Sequence, residues 1–225
     1  MRPFDILDID QRSDAWLAAR CGRLTGSVAH EAFAKTKSGW AASRRNLIMR
    51  LVLERIAGKP QGSDFVSPAM QAGIDREPLA IAAYEAATGE MVQRCGFVAH
   101  RVLMAGCSPD GYLGDFETLL SIKCRQAFAH FEFVRKGTIP VASLTQMQHE
   151  CWVTGARRAV YCSYNPDFPE RLQLVHTVVT FDDDQMADYN SAALTFLGEV
   201  DREYDAMMTL CDLAGRLAAA VLEAK

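Results

Sequence analysis

Cys107-Ser108-Pro109-Asp110-Gly111 and, after a short connection, Leu119-Leu120-Ser121-Ile122-Lys123-Cys124 form the stretch from which the architecture can be worked out. The second segment has the composition of a strand. Side chains alternate faces along a strand, so Ser121 and Lys123 share one face while Leu120, Ile122 and Cys124 share the other. A lysine on an otherwise apolar strand is costly to bury without anions around it. Asp110 is a natural partner, because Pro109 and Gly111 fix a turn and a hairpin can fold the strand back beside it.

Working outward from this hairpin, periodicity and stop signals predict helices over 13–20, 26–35, 43–57 and 76–88, the third ending at Gly58 and the last at Gly89. The runs 92–100, 102–107 and 118–124, punctuated by Gly96, Gly106, Gly111 and Gly114, read as a β-meander. Helices follow over 127–136 and 143–154, the latter with Ser143 as N-cap and Gly155 as stop. Strands return at 159–164 and 172–181, and the acidic stretch 183–222 has the spacing of one or two outer helices. This order predicts an α/β fold with a central mixed β-sheet flanked by helices on both faces. No repeat or low-complexity linker divides residues 1–225, which are read as a single domain.

The chain has 225 residues, 49% of them apolar, enough for one well-buried core. Its seven cysteines are odd in number, scattered and never spaced as CxxC, which argues against a disulfide framework or a zinc site and for a reducing, cytoplasmic setting. The first ten residues carry three aspartates and no apolar run, and no later stretch suggests a membrane span. A net charge of -4 excludes a protein that coats nucleic acid over its whole surface. The charge is uneven: residues 1–60 carry 11 Lys and Arg against 6 Asp and Glu, and residues 170–225 carry 4 against 11. Arg12, Arg20, Arg23, Lys35, Lys37, Arg44, Arg45 and Arg50 could hold a polyanion at one face.

Phosphodiester hydrolysis requires clustered hard oxygens for a divalent cation and a positive group near the attacking water or the phosphate; Asp110 with Lys123 provides part of each. A Ser-Pro-Asp-Gly turn alone is not specific. The wider pattern resembles the PD-(D/E)xK nucleases, in which a Pro-Asp turn leads to a hairpin ending in a carboxylate, a spacer and a lysine. More narrowly it is similar to the lambda exonuclease (YqaJ-type viral recombinase, alkaline exonuclease) family. Trp16, Arg20, Gly22, Thr25 and Ser27 match that family's early W-x-x-x-R-x-G-x-x-T-x-S segment, and Gly73 with Glu77 its G-x-x-x-E. Cys107 to Gly111 match its turn, Ile122-Lys123-Cys124 its strand end, and Gln146-Met147-Gln148 with Trp152-Val153 its Q-x-Q helix.

The resemblance implies a restriction-endonuclease-like core and a 5′-to-3′ exonuclease that degrades linear duplex DNA from 5′-phosphorylated ends, leaving a 3′ single strand for recombination. It implies that Glu77, Asp110 and the main-chain carbonyl of Ile122 bind Mg²⁺ or Mn²⁺, with two ions per active site, and that Lys123 positions the nucleophilic water. It further implies a pocket for the terminal 5′ phosphate made by Arg20, Ser27, Ser108 and Gln146, a homotrimer around the DNA, and a single-strand annealing protein as partner.

The sequence departs from the family at Ser121, where the pattern has Glu. A neutral hydroxyl is a poor ligand for a hard cation, and Glu117, on the same face, lies about 13 Å back along the strand. Loss of roughly 3–4 kcal/mol of transition-state stabilisation would slow the reaction on the order of 10²–10³-fold, and Ser121→Glu is expected to raise Mg²⁺-dependent hydrolysis. Two other readings follow: a DNA-end-binding protein that no longer cuts, and an endonuclease of the same superfamily. Single residues also have plainer explanations. Glu77 could be a helix-opening carboxylate, Gln146 and Gln148 surface residues of an amphipathic helix, and Trp16 a core or staple residue. His149, a lone helical histidine, is read as structural.

Overall fold

Local signals start most of the elements. In the computed structural model, which describes residues 2–61 and 67–223 with side chains as far as residue 214, strand β1 (Phe4–Leu7) precedes helix α1 (Asp14–Arg20). The Ser13 hydroxyl caps α1 by accepting the Trp16 N–H. After β2 (Leu24–Thr25) comes a 3-10 turn (Gly26–Val28), then α2 (Ala29–Ala32), a β3–β4 hairpin (Lys35–Thr36, Gly39–Trp40) and α3 (Ala42–Ala57). The helix expected over 26–35 is therefore only two short turns. The chain instead reverses through Gly39, whose φ of +135 an L side chain rarely adopts.

Helix α4 (Pro68–Thr88) starts well before the expected residue 76, with Ser67 as N-cap and Pro68 at the tolerated first position. Glu77 consequently lies mid-helix, beside the interior Pro78, and the reading of it as a helix-opening carboxylate is corrected. The expected meander is also divided. Strands β5 (Phe97–His100) and β6 (Ala105–Cys107) pair in one sheet, while β7 (Gly111–Leu113) and β8 (Thr118–Cys124) pair in another. Pro109, with no N–H to donate, falls where one ladder ends and the other begins. Both expected runs, 92–100 and 102–107, shorten accordingly, and Gln93 keeps only a single bridge to Tyr112.

Helices α5 (Ala127–Lys136) and α6 (Val141–Thr154) then lead to β9 (Arg158–Tyr164). Pro140, and not Ser143, occupies the N-cap position of α6. A short α7 (Glu170–Gln173) precedes β10 (Leu174–Thr180), and one helix, α8 (Asp183–Glu223), spans the acidic tail.

Two four-stranded mixed sheets result, ordered β1-β5-β6-β2 and β10-β9-β8-β7, where one central sheet was expected. In the second, β8 and β9 are parallel, as a helical crossover requires. Leu120 and Ile122 pack with Ala80, Ile81 and Tyr84 of α4 on one face. Leu119 packs with Phe133 of α5 and with Met147 and Cys151 of α6 on the other. Helices therefore cover both faces of the sheet that carries β8. Helix α8 packs along α3, where Arg44 pairs with Glu199 and Arg55 with Asp201. Part of the basic N-terminal charge is thus neutralised by the acidic tail, and Arg44 is buried, so it belongs to the core and not to a polyanion-binding face. No helix among the described residues is long and apolar enough to cross a membrane.

Candidate active site

The chain passes from the first sheet to the second through Ser108-Pro109-Asp110, and this crossing places Asp110 at the edge of β8. Strand β7 begins at Gly111, opposite Leu120, so beyond that point this edge of β8 has no strand partner among the described residues. Asp110 fills the gap: the Ile122 N–H donates to its Oδ2 at 2.6 Å. The N–H and C=O of one strand residue point to the same edge, so the Ile122 carbonyl faces the same space. Lys123 Nζ lies 4.0 Å from that Oδ2 and donates to Gln146 Oε1 at 3.3 Å. Gln146 Nε2 in turn donates to Glu150 Oε1 at 2.8 Å.

Glu77 arrives from α4, on the opposite face of the sheet. Burial raises its carboxyl above the usual range and the Asp110 charge adds to this, while Arg94, Arg12 and Lys123 oppose it. Arg94 holds Glu77 at 2.7 Å and Arg12 stands 3.6 Å away. Glu77, Ile122, Lys123, Arg12 and Arg125 line one open groove of about 630 Å³. Sequence-distant residues 77, 110, 122 and 123 are therefore neighbours here.

A second cluster adjoins the first. Arg20 donates to Ser27 Oγ at 3.1 Å and to Thr25 Oγ1 at 3.4 Å, with its guanidinium 4.0 Å from the Trp16 ring centroid. The Trp16 indole N–H donates to Ser108 Oγ at 2.8 Å. Trp16 is therefore a scaffold tying Ser108 to Arg20, more than the core or staple residue its sequence position suggested. Burial lowers Arg20 to about 10, and it stays cationic at neutral pH. Gly26, next to Ser27, lies against α6: a Cβ there would stand 3.1 Å from Glu150 Oε1 and 3.2 Å from Gln146 Cγ. Gln146 thus adjoins both clusters and is not a free surface residue.

Ser121 is 1% exposed, and its hydroxyl has no hydrogen-bond partner among the described residues. Arg12 entered the sequence reading only as part of the basic face and Thr25 only as a motif position, while Glu150 and Arg94 escaped it. Only Glu150 carried a signal, its i, i+4 spacing from Gln146. His149 is buried between the Tyr189 hydroxyl at 2.8 Å and the Gly106 carbonyl at 3.1 Å, and burial lowers it to about 4, so it is a neutral structural group.

Carboxylate and carbonyl oxygens suit a hard divalent cation. Among the described residues, however, no three His, Cys, Asp or Glu side chains stand close enough to hold an ion by themselves. That agrees with Ser121 leaving two carboxylates, Asp110 and Glu77. A cation such as Mg²⁺, which keeps several waters and often uses one or two protein carboxylates, fits this set.

The family described as the YqaJ-like viral recombinase domain matches residues 15–157. The chain belongs to that family. The matched stretch of this YqaJ-like protein runs from α1 to just before β9 and contains Arg20, Ser27, Glu77, Ser108, Asp110, Ser121, Lys123 and Gln146. Among solved structures it is similar to the alkaline exonuclease LHK-Exo from Laribacter hongkongensis, with 30% identity, a TM-score of 0.81, and coverage of 90% of this chain and all (100%) of that one. LHK-Exo in complex with dAMP matches at 31% identity with the same TM-score of 0.81 and the same coverage, 90% and 100%. A phage-related exonuclease from Haemophilus somnus, 12% identical with a TM-score of 0.61 over 82% of this chain and 96% of that one, shares the fold. No curated protein matches the chain. The fold is thus that of the alkaline exonucleases, a PD-(D/E)xK-like core.

Proposed function

We propose that this YqaJ-like protein is a Mg²⁺- or Mn²⁺-dependent exonuclease that digests linear double-stranded DNA 5′ to 3′ from phosphorylated ends. The observation that carries the reading is the adjacency of Asp110, Glu77 and Lys123 to the Arg20–Ser27–Ser108 cluster, with Gln146 between them. Asp110 and Glu77, with the Ile122 carbonyl, would hold the cation, two ions in a fully occupied site. When bound, the cation supplies Lewis-acid stabilisation of the phosphate and a more acidic water. Lys123 places its Nζ beside Asp110 and can hold the attacking water or the scissile phosphate. Arg20 presents a planar fork of donors to a terminal phosphate, and the hydroxyls of Ser27 and Ser108 complete its shell. Ser121 contributes no charge.

A homotrimer encircling the duplex and a single-strand annealing partner belong to the same proposal. The exposed apolar side chains Met49, Leu53, Ile56 and Met207, on α3 and α8, would suit contact with further protein. A second reading, a chain that grips ends without cutting, draws its support from Ser121, a neutral side chain where the family pattern has Glu.

One assay tests both. Linear duplex with and without a 5′ phosphate, and closed circular DNA, are incubated with Mg²⁺ or Mn²⁺ and with EDTA. Loss of the 5′ strand from phosphorylated ends alone is expected. Binding without cleavage would favour the second reading, and nicking of circles would reject both.

A further inference from the structure

Glu150 is the acidic residue at this site that the proposed function leaves unused. It is 2% exposed and has no ion-pair partner among the described residues; Gln146 donates to its Oε1, and no donor among those residues reaches Oε2. Ionising a buried carboxyl that has no cation beside it is unfavourable, so its presence here calls for a reason.

Its position supplies one. Ser121 and Lys123 face α6, as does Leu119, which packs with Met147 and Cys151. Helix α6 returns to β9, which is parallel to β8, so α6 runs opposite to β8. Two contacts fix the alignment: Arg125 donates to Ser143 Oγ at 3.4 Å, and Lys123 to Gln146 Oε1 at 3.3 Å. One more helical turn, about 6 Å, carries Gln146 to Glu150. Two more residues back along the strand, about 6.6 Å, carry Lys123 to Ser121. The next pair in this alignment is Ser121 with Glu150, an orphaned hydroxyl facing a carboxylate with a free oxygen. The charges of Asp110, Lys123 and Arg20 all act on Glu150, which places it within the site's field.

We infer that Glu150 on α6 takes the place of the carboxylate that β8 lacks at Ser121, giving the site its third acidic oxygen across a bridging water. Gln146 then both steadies Lys123 and orients Glu150. The deficit expected from Ser121 alone is correspondingly smaller. This rests on the reading of Asp110 and Glu77 as the cation's ligands.

The test is Mn²⁺ binding to the full chain without DNA, by calorimetry and by the EPR signal of free Mn²⁺, with thermal melts as the control for folding. Asp110→Asn should abolish binding. Glu150→Gln, isosteric and still able to accept from Gln146, should weaken it about 10-fold, the scale of losing a group that orients a metal's ligands. Adding Ser121→Glu to Glu150→Gln should restore most of the affinity, a rescue that a merely structural Glu150 would not give. Ser121→Glu alone should bring no gain, the opposite of what the strand by itself predicts. Unchanged affinity in Glu150→Gln, absence of rescue, or a gain of about 10-fold from Ser121→Glu alone would overturn the inference while leaving the exonuclease reading intact. Retention of Mn²⁺ by Asp110→Asn would overturn that reading and this inference with it. Should Glu150→Gln not fold, Ser121→Glu alone still decides.

Discussion

The Ile122 N–H donates to Asp110 Oδ2 at 2.6 Å, on the edge of β8 that β7 leaves uncovered. One carboxylate oxygen thereby finishes a backbone ladder, and the group as a whole is fixed beside Lys123. Structural and chemical duties are joined at this residue, and substitution can separate them.

Asp110→Asn keeps an acceptor for Ile122 and removes the charge. The melting temperature should stay within about 4 °C, equivalent to ~1 kcal/mol in a chain of this size. Cleavage should fall on the order of 10²–10³-fold or more. Asp110→Ala also leaves the Ile122 N–H unpaired, at a cost of about 1–3 kcal/mol, and should melt lower. Equal cleavage by Asp110→Asn and the unaltered chain would remove Asp110 from the chemistry.

Arg20→Lys keeps the charge and loses the fork that reaches Ser27 and Thr25. Losing charge-assisted hydrogen bonds worth about 1.5–3 kcal/mol should cut the preference for 5′-phosphorylated over 5′-hydroxyl ends by ~10–100-fold. The measurement is the ratio of kcat/KM on the two kinds of end. A ratio unaltered by the change would place the phosphate elsewhere.

Glu150 sets a pH dependence of stability. Burial, with the Asp110 charge adding to it, raises its carboxyl from 4.5 to about 8. For an acid raised in the folded state, the stabilisation is fully present below the unfolded value and is lost as pH rises through the folded one. Urea unfolding should therefore show this contribution declining between pH 4.5 and about 8, with the decline absent in Glu150→Gln. A Glu150→Gln profile parallel to that of the unaltered chain would show that the carboxyl ionises normally.

His149→Ala removes a buried ring and strands the Gly106 carbonyl and the Tyr189 hydroxyl. A loss of about 2–4 kcal/mol is expected in urea unfolding, with the pH–rate profile of the folded enzyme unchanged. A shifted acid limb in that profile would instead make His149 part of the chemistry.

The sequence by itself determined much of this protein: the cap at Ser13, the helix stops at Gly58, Gly89 and Gly155, and the alternation that sets Ser121 and Lys123 on one face of β8. These are short-range effects, decided within a turn of helix or a few residues of strand, and a linear reading reaches them. Recurring motif residues also marked Arg20, Glu77, Asp110 and Gln146 as members of one site. The division of the expected meander into two sheets, the mid-helix place of Glu77 and the neutralisation of Arg44 by Glu199 needed the tertiary structure. So did the antiparallel seating of α6 on β8, which sets Gln146 against Lys123 and follows from how the crossover packs. Nothing in the immediate neighbourhood of either residue encodes that packing.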